Sequence, residues 1–499
     1  MLRTEVPILI GEANLVLNQG LDYKVDLFIN NQDVPTQNYF EVRDPGKLTD
    51  VVGKVASGTV EDIDKAVNAA HRAFQSWREV DIQERIRLVL KAADVLQDSI
   101  AELKPLLVRE HGGMLWEADV DFQVALGSLK FYSAVVEDYL KPEVQEDEKQ
   151  WLSIEKVPKG VAAVIVPWNM PMCLTTGKLA PALLTGNTVV VKPSPNAPLA
   201  LSIVLKRMAA VFPDGVINVV HGDAETGNAL TGHPLVRKIS FTGGTETGRA
   251  VLMNGSKTFK SVSLELGGND PAVVLDDVNP TDIIPKLMKG VYTRTGQICF
   301  AVKRIYVPQG MVQKFFDIMC EFVDELKVGH GLDERSSFGP INNKKQFDIV
   351  NNLLEETKRS GATVRELGSM VDPDNWSNGY YMLPHVVKDT PQSSSIVACE
   401  QFGPVIPIIG YETVDQAIEL ANDSQYGLCS SIWSNDLERA KGLARKIEAG
   451  ATFINTHSFE SLYKGMPFGG VKNSGMGRES SIEPTLSAYV DLHAIRALK

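Results

Sequence analysis

The sequence is poor in the residues that would place it in several large functional classes. It has only five cysteines (Cys173, Cys299, Cys320, Cys399 and Cys429), they lie far apart, and none forms a CxxC pair. That spacing argues against a disulfide framework and a cysteine-based zinc site, and it suits a reducing compartment. The eight histidines show no HxxxH or HExxH spacing, so no metal is expected. Basic residues are in deficit, 50 Lys and Arg against 62 Asp and Glu, for a formal charge of -12. A surface of that sign repels a phosphate backbone, and no basic cluster with interleaved aromatics offsets it; nucleic acid is not an expected partner. Long apolar runs are missing too. The run at 6–10 is broken by Glu12 and is too short for a signal-peptide core or a membrane span. The expectation is a metal-free cytoplasmic protein that is not embedded in a membrane.

What is present is a long chain with α/β grammar. At 499 residues it exceeds the size at which one core stops growing, so two or more domains are expected. Val60, Ile63, Val67, Ala70, Phe74 and Trp77 recur at spacings of three and four, which predicts a helix capped by Thr59. Helical patterns follow at 84–96 and 122–139. From Gly160 short β runs alternate with helices: strands at 161–166, 187–191, 217–220, 237–241 and 261–266, separated by helices at 172–185, 198–210, 225–231 and 246–254. A second series has strands at 272–275, 303–307, 405–410, 428–433 and 451–455, with a helix at 311–326 that presents Met311, Phe315, Met319, Phe322 and Leu326. This alternation predicts parallel sheets wound with helices on both faces, and ligands at the carboxyl ends of the strands.

Chemistry-bearing residues fall at those strand ends. Four of the cysteines read best as small buried hydrophobes. Cys299 differs, because Gly296 and Gln297 end a helical segment (281–294) just before it and a loop there can expose sulfur to a cleft. Asn169 sits between Pro167 and Pro171 at a strand's carboxyl end, where a fixed amide could donate to a developing oxyanion. Capping of the next helix is the commoner use of such an Asn. Glu265 closes an apolar strand before Gly267 and Gly268; burial would raise its pKa and suit a general base, although a solvated strand-end carboxylate fits the local pattern as well. FTGGTETGRA at 241–250 is a strand, a glycine-rich turn and a helix, a setting in which backbone N–H groups hold a pyrophosphate. It is not GxGxxG. Gly243 and Gly248 have Walker-A spacing, yet Arg249 and Ala250 stand where Lys and Ser/Thr are required, which argues against a P-loop kinase.

PWN at 167–169, KPS at 192–194, FTGGTETG at 241–248, LELGGNDP at 264–271, GQICFA at 296–301, EQFGP at 400–404 and PFGGVKNSGMGRE at 467–479 occur in that order. Together they resemble the aldehyde dehydrogenase superfamily over nearly the whole chain. The resemblance implies a Rossmann-like cofactor domain (1–139 and 159–270), an α/β catalytic domain (271–479) and a small β oligomerisation arm (140–158 and 480–499), in a homodimer or homotetramer. It implies oxidation of an aldehyde to the acid through a thioester on Cys299, an oxyanion held by Asn169, and water activated by Glu265, with Lys178 and Asn455 at further active-site positions. It places NAD, with NADP as a second coenzyme, among Val166, Pro167, Trp168, Lys192, Ser194, Pro195, Gly243, Gly244, Thr245, Gly248, Leu266, Glu400 and Phe402.

Three departures from the family pattern bear on specificity. Pro195 replaces a carboxylate that contacts the adenosine ribose, which removes a bar to NADP while leaving NAD preferred. Gly244 replaces the usual serine of its turn. Met170, Met172, Cys173 and Gly177 make a lighter wall than the aromatics of many relatives, so medium-chain or aromatic aldehydes are expected over acetaldehyde. No Arg or Lys stands out in GQICFA or in 456–463 to clamp an anionic semialdehyde. Two rival readings remain, a coenzyme-A-acylating dehydrogenase and a catalytically inactive structural relative. Retention of Glu265, and of Cys299, Asn169 and Glu400 with it, argues against both.

Overall fold

A computed structural model describes residues 23–499; the apolar run at 6–10 lies outside the described residues. The first long helix, Val60–Trp77, starts where its cap chemistry dictates. Thr59 Oγ accepts the Asp62 N–H at 3.3 Å, and the Asp62 carboxylate accepts the Thr59 N–H at 3.1 Å. Such reciprocal capping satisfies two donors that the first turn would otherwise leave bare, and losing a cap costs about 1 kcal/mol. Ile63, Val67, Ala70, Phe74 and Trp77 are buried as the periodicity predicts, whereas Val60 stays exposed at the helix start. The next helix is far longer than its sequence pattern suggests. It spans Ile82–His111, accommodates Pro105 internally, and ends at Gly112 in the left-handed conformation. A third helix, Leu115–Leu140, packs against it.

These helices and those that follow cover an eight-stranded sheet. Its five central strands are parallel, lying side by side in the order Ser261–Glu265, Val236–Thr242, Val161–Ile165, Thr188–Lys192, Ile217–Val219. Numbered along the chain, that order is 5-4-1-2-3, so the winding reverses between Val161–Ile165 and Val236–Thr242. A crevice opens outside the carboxyl ends of strands at such a reversal. The edge is extended antiparallel by Leu27–Ile29 and Gln32–Val34, and at the other side by the two-residue strand Gly475–Met476.

A second sheet of seven strands has Val302–Pro308 at its middle, and Asp270–Val274 lies between that strand and Cys429–Trp433, all parallel. Its far edge, Thr363–Glu366, is antiparallel and pairs with His385–Lys388. The helix Val312–Asp324 buries Phe315, Phe316, Met319 and Val323 against this sheet. That face is turned by about one residue from the expected stripe, because Phe316 and Val323 bury in place of Phe322 and Leu326. The chain passes from one sheet to the other in only four residues, between Glu265 and Asp270, so their strand ends share one cleft.

A third, antiparallel sheet joins Glu143–Glu146, Gln150–Pro158 and Val490–Leu498, the last two in register over nine residue pairs. Leu492, Ile495 and Leu498 are exposed along its outer strand. No helix among the described residues is long and apolar enough to cross a membrane.

Candidate active site

The loop carrying Cys299 is shaped before the sulfur is reached. Arg294 and Thr295 both adopt left-handed conformations (φ 58° and 59°), which side chains rarely tolerate. Such strain persists only where surrounding contacts over-determine it. Here the Arg294 N–H donates to Glu117, Thr295 Oγ donates to the Gly339 carbonyl at 2.9 Å, and Gln297 Nε2 donates to the Arg294 and Pro340 carbonyls. The Arg294 guanidinium is itself buried and donates through Nε to the Asn169 carbonyl at 3.0 Å. One arginine thus ties the cysteine loop to the turn that carries Asn169.

Asn169 does not cap the helix that follows it. That helix, Pro171–Leu184, has Met170 at its cap position, and its first free N–H groups, on Met172 and Cys173, donate to the buried carboxylate of Asp121 at 3.1 and 2.8 Å. Burial raises the pKa of Asp121 to about 6, against those hydrogen bonds. With capping done by Asp121, the Asn169 amide is free for other work. Its Nδ2 donates one N–H to the Gln297 carbonyl at 2.9 Å, and a primary amide has a second to offer. The Cys299 N–H has no acceptor among the described residues.

Cys299 is partly accessible, while its thiol is enclosed enough that burial pushes its pKa up to about 12. Lys303 pulls the other way, and Glu400, Asp270 and Glu265 add to the rise. Lys303 donates to the Ile298 carbonyl at 2.7 Å and lies over the ring of Phe402. Phe402 in turn meets Trp168 edge-on, with ring centroids 5.7 Å apart. Glu400 accepts the Gly268 N–H at 3.2 Å, and burial raises its pKa to about 7. A methyl group on Gly268 would come within 2.6 Å of the Cys299 carbonyl oxygen, so the cysteine loop is pressed against bare backbone.

Glu265 closes its strand as the sequence suggests, but it is buried rather than solvated, and neither carboxyl oxygen has a hydrogen-bond partner among the described residues. Burial lifts its pKa well above the carboxylate range; Glu479 adds to the rise, and Lys178 and Arg478 oppose it. Lys178 is fully buried and donates to both oxygens of Glu479 at 2.6 and 2.7 Å. The sequence reading has Glu479 inside a motif without marking it as a partner for Lys178. Asn455 exchanges hydrogen bonds with the Ser434 backbone through both ends of its amide, and among the described residues it makes none to Cys299, Asn169, Glu265 or Lys178.

On the other side of the crevice, the turn Gly243–Gly244 follows the strand Val236–Thr242, and the Gly243 N–H is pinned to the Glu265 carbonyl at 3.1 Å. The helix Thr245–Ser256 begins at Gly244 with no side-chain cap, so its first-turn N–H groups remain available. A methyl group on Gly244 would meet open space, whereas one on Gly248 would strike Leu266 at 2.5 Å. Lys192 ends a neighbouring strand beside Val166. It is buried and donates to the Gly222 carbonyl at 2.6 Å, and burial lowers its pKa to about 8. Ser194 accepts the Asn196 N–H, and Pro195 is exposed at the rim. Val166, Pro167 and Trp168 lead from the strand Val161–Ile165 to Asn169. The donor set fits a dinucleotide: uncapped helix amides in an open cradle for phosphates, Lys192 at one end, and Glu400 with Phe402 at the other.

The substrate side of Cys299 is apolar. Met170, Ile298, Phe300 and Phe453 pack in one cluster with Cys173, Leu174, Phe459 and Phe468. Along Pro171–Leu184, Cys173, Leu174 and Gly177 form the half-exposed stripe, and a methyl group on Gly177 would touch nothing within 4 Å. Just past 456–463, the Lys464 ammonium reaches across to Ser128 Oγ at 2.8 Å.

A sequence model described as the aldehyde dehydrogenase family matches residues 32–495. An aldehyde dehydrogenase from a Fusarium species is 35% identical over 434 residues, covering 87% of this chain and 90% of the relative. One from Monascus ruber is 35% identical over 426 residues, covering 85% and 84%. Among solved structures, betaine aldehyde dehydrogenase from Staphylococcus aureus in complex with NAD+ superposes with a TM-score of 0.89 at 31% identity, covering 95% of this chain and 94% of that one.

Proposed function

The chain belongs to the aldehyde dehydrogenase family, and from that premise we propose that it oxidises medium-chain or aromatic aldehydes to carboxylic acids through a thioester on Cys299, with NAD as the preferred coenzyme. The observation that carries the hydrolytic part is Glu265: a buried carboxyl with both oxygens unpartnered, in the cleft that holds Cys299 and Asn169. A buried, raised-pKa carboxyl is suited to accept and hold a proton rather than to make an ion pair.

In the first step the Cys299 sulfur attacks the aldehyde carbon, the carbonyl π pair moves to oxygen, and the thiol proton is released to solvent, leaving Glu265 ionised for the second step. The free Nδ2–H of Asn169 and the Cys299 N–H stabilise the oxyanion, a contribution typically of about 3 kcal/mol per donor. The oxyanion then collapses, the C–H pair departs as hydride, and an acyl-sulfur bond remains. A bound nicotinamide supplies the hydride acceptor for that collapse. Water then attacks the thioester, Glu265 takes its proton, and the Cys299 thiolate leaves as the acid forms. Lys178 and Glu479 flank Glu265 and keep a compensated charge pair beside it.

Lys192, Gly244, Thr245 and Glu400 are the residues that would hold the coenzyme. Pro195 presents no carboxylate to a ribose 2′-phosphate, so NADP is accepted more weakly but measurably. The cofactor-binding part is assigned to 1–139 and 159–270, the catalytic part to 271–479, and the arm to 140–158 and 480–499. The exposed outer strand of that arm supports assembly as a homodimer or homotetramer. The test is a panel of acetaldehyde, hexanal and benzaldehyde with NAD, with and without coenzyme A, followed by absorbance of reduced coenzyme. Turnover of hexanal and benzaldehyde without coenzyme A supports the reading. A strict requirement for coenzyme A, or a preference for acetaldehyde, contradicts it.

A further inference from the structure

The apolar substrate side of the cleft contains one charge that the proposed chemistry does not use. Between Phe459 and Phe468 the chain delivers Phe459, Leu462, Met466 and Phe468 to the cluster around Cys299, together with Val120, Cys173 and Leu174. Lys464 lies in the middle of that segment. Lys464 is an exposed residue at the rim, and its ammonium reaches past Gly127 to Ser128 Oγ at 2.8 Å. The Lys464 side chain passes beside Gly127, where a methyl group would be in ordinary contact with Lys464 Cε at 3.4 Å.

The ammonium is under-used where it ends. Ser128 is a neutral partner, buried, and its own hydroxyl donates to the Val124 carbonyl at 3.0 Å. No carboxylate among the described residues lies within ion-pair distance of Lys464. An ammonium has three N–H donors, and this one commits a single donor to the protein. Its charge reaches the cleft wall. Burial and Asp121 hold the Cys173 thiol high, and Lys464 works against them. Cys173 lies on the same half-exposed stripe as Leu174 and the open position at Gly177, and it packs in one apolar cluster with Cys299.

An apolar passage with a reactive thiol at one end and a half-sheltered, unpaired cation toward the other selects for a particular shape of molecule. We propose that Lys464 is a specificity-determining residue that binds a carboxylate at the far end of the substrate, so that the preferred aldehydes carry an apolar body between the aldehyde and a terminal carboxylate. The inference rests on the proposed attack of Cys299 on the aldehyde. An ion pair in a partly dehydrated cleft is stronger than one in open water, and it weakens as salt is added.

The experiment compares matched pairs of similar length, 6-oxohexanoate with hexanal and 4-formylbenzoate with 4-methylbenzaldehyde, in the wild-type enzyme and in Lys464→Met and Lys464→Glu. The wild type should favour the carboxylated member of each pair by about tenfold in kcat/KM at low salt, mainly through KM. Lys464→Met should bring the ratio near one, and Lys464→Glu should invert it. A wild-type ratio at or below one, or a ratio that Lys464→Met leaves in place, overturns the inference. A second readout needs no turnover. Adipate should slow alkylation of Cys299 by iodoacetamide in the wild type and not in Lys464→Met; equal protection in both also overturns it. If no aldehyde is oxidised, the proposed activity fails, and the alkylation result still decides the role of Lys464.

Discussion

The two ends of the cleft treat added atoms in opposite ways. Around Cys299 and Glu265 there is no slack. A methyl group on Gly268 would meet the Cys299 carbonyl at 2.6 Å, and one on Gly469 would meet a Glu265 carboxyl oxygen at the same distance. At Gly177 on the substrate wall and at Gly244 on the phosphate turn, a methyl group would meet nothing within 4 Å. The reacting groups are thus held by close packing and by buried hydrogen bonds to distant segments. The positions proposed to choose substrate and coenzyme are open, so a side chain there can change without displacing the packed groups.

That contrast can be broken deliberately. Cys299→Ala should abolish turnover of every aldehyde, because no covalent intermediate can form; coenzyme-reduction assays across the panel check this, and appreciable residual turnover would sink the mechanism. Gly268→Ala should keep the fold but displace the cysteine loop, lowering kcat about 100-fold, the scale expected for a reacting group misplaced by roughly 1 Å. Near-normal kcat in a folded Gly268→Ala protein, verified by circular dichroism, would show that the tight end has slack after all. Gly177→Trp should fill the open wall, cutting kcat/KM for hexanal and benzaldehyde about tenfold or more while affecting acetaldehyde less, as expected when pocket volume sets discrimination. Smallest of all, Pro195→Glu should raise the NAD-to-NADP ratio of kcat/KM several-fold, toward about tenfold. An unchanged ratio would place coenzyme choice elsewhere on the rim.

The same contrast explains what could be read from the sequence. The five central strands of the first sheet and the main strands of the second were legible because most are short, largely buried apolar runs, and the candidate residues Asn169 and Glu265 stood at or just past their ends. The strands between Tyr23 and Ala56 were not, since several span three residues and pair with segments far along the chain. The helix Ile82–His111 outran its pattern because Pro105, a local breaking signal, is tolerated inside it. Cys299, Asn169 and Glu265 could be named from their placement, but the use of Asn169 could not be chosen between cap and donor. That choice is made by Asp121, whose carboxylate caps the helix from about 50 residues away. Glu479 meets Lys178 across a separation of 301 residues, and Lys464 meets Ser128 across 336. No local pattern announces such pairs, because three-dimensional packing alone brings them together.

The central claim is that Glu265 serves hydrolysis and Cys299 serves acylation, as two separable steps in one tightly packed site. Rapid mixing of Glu265→Gln with NAD and saturating hexanal tests it most directly. Glutamine keeps the side chain's size but cannot take a proton from water, so acylation should still deliver a burst of reduced coenzyme close to one equivalent per active site. Steady turnover should then fall at least 100-fold, the scale at which a positioned base contributes. A burst followed by a stall is the predicted result. An unaltered steady-state rate would contradict the account, because another group would then be activating the water.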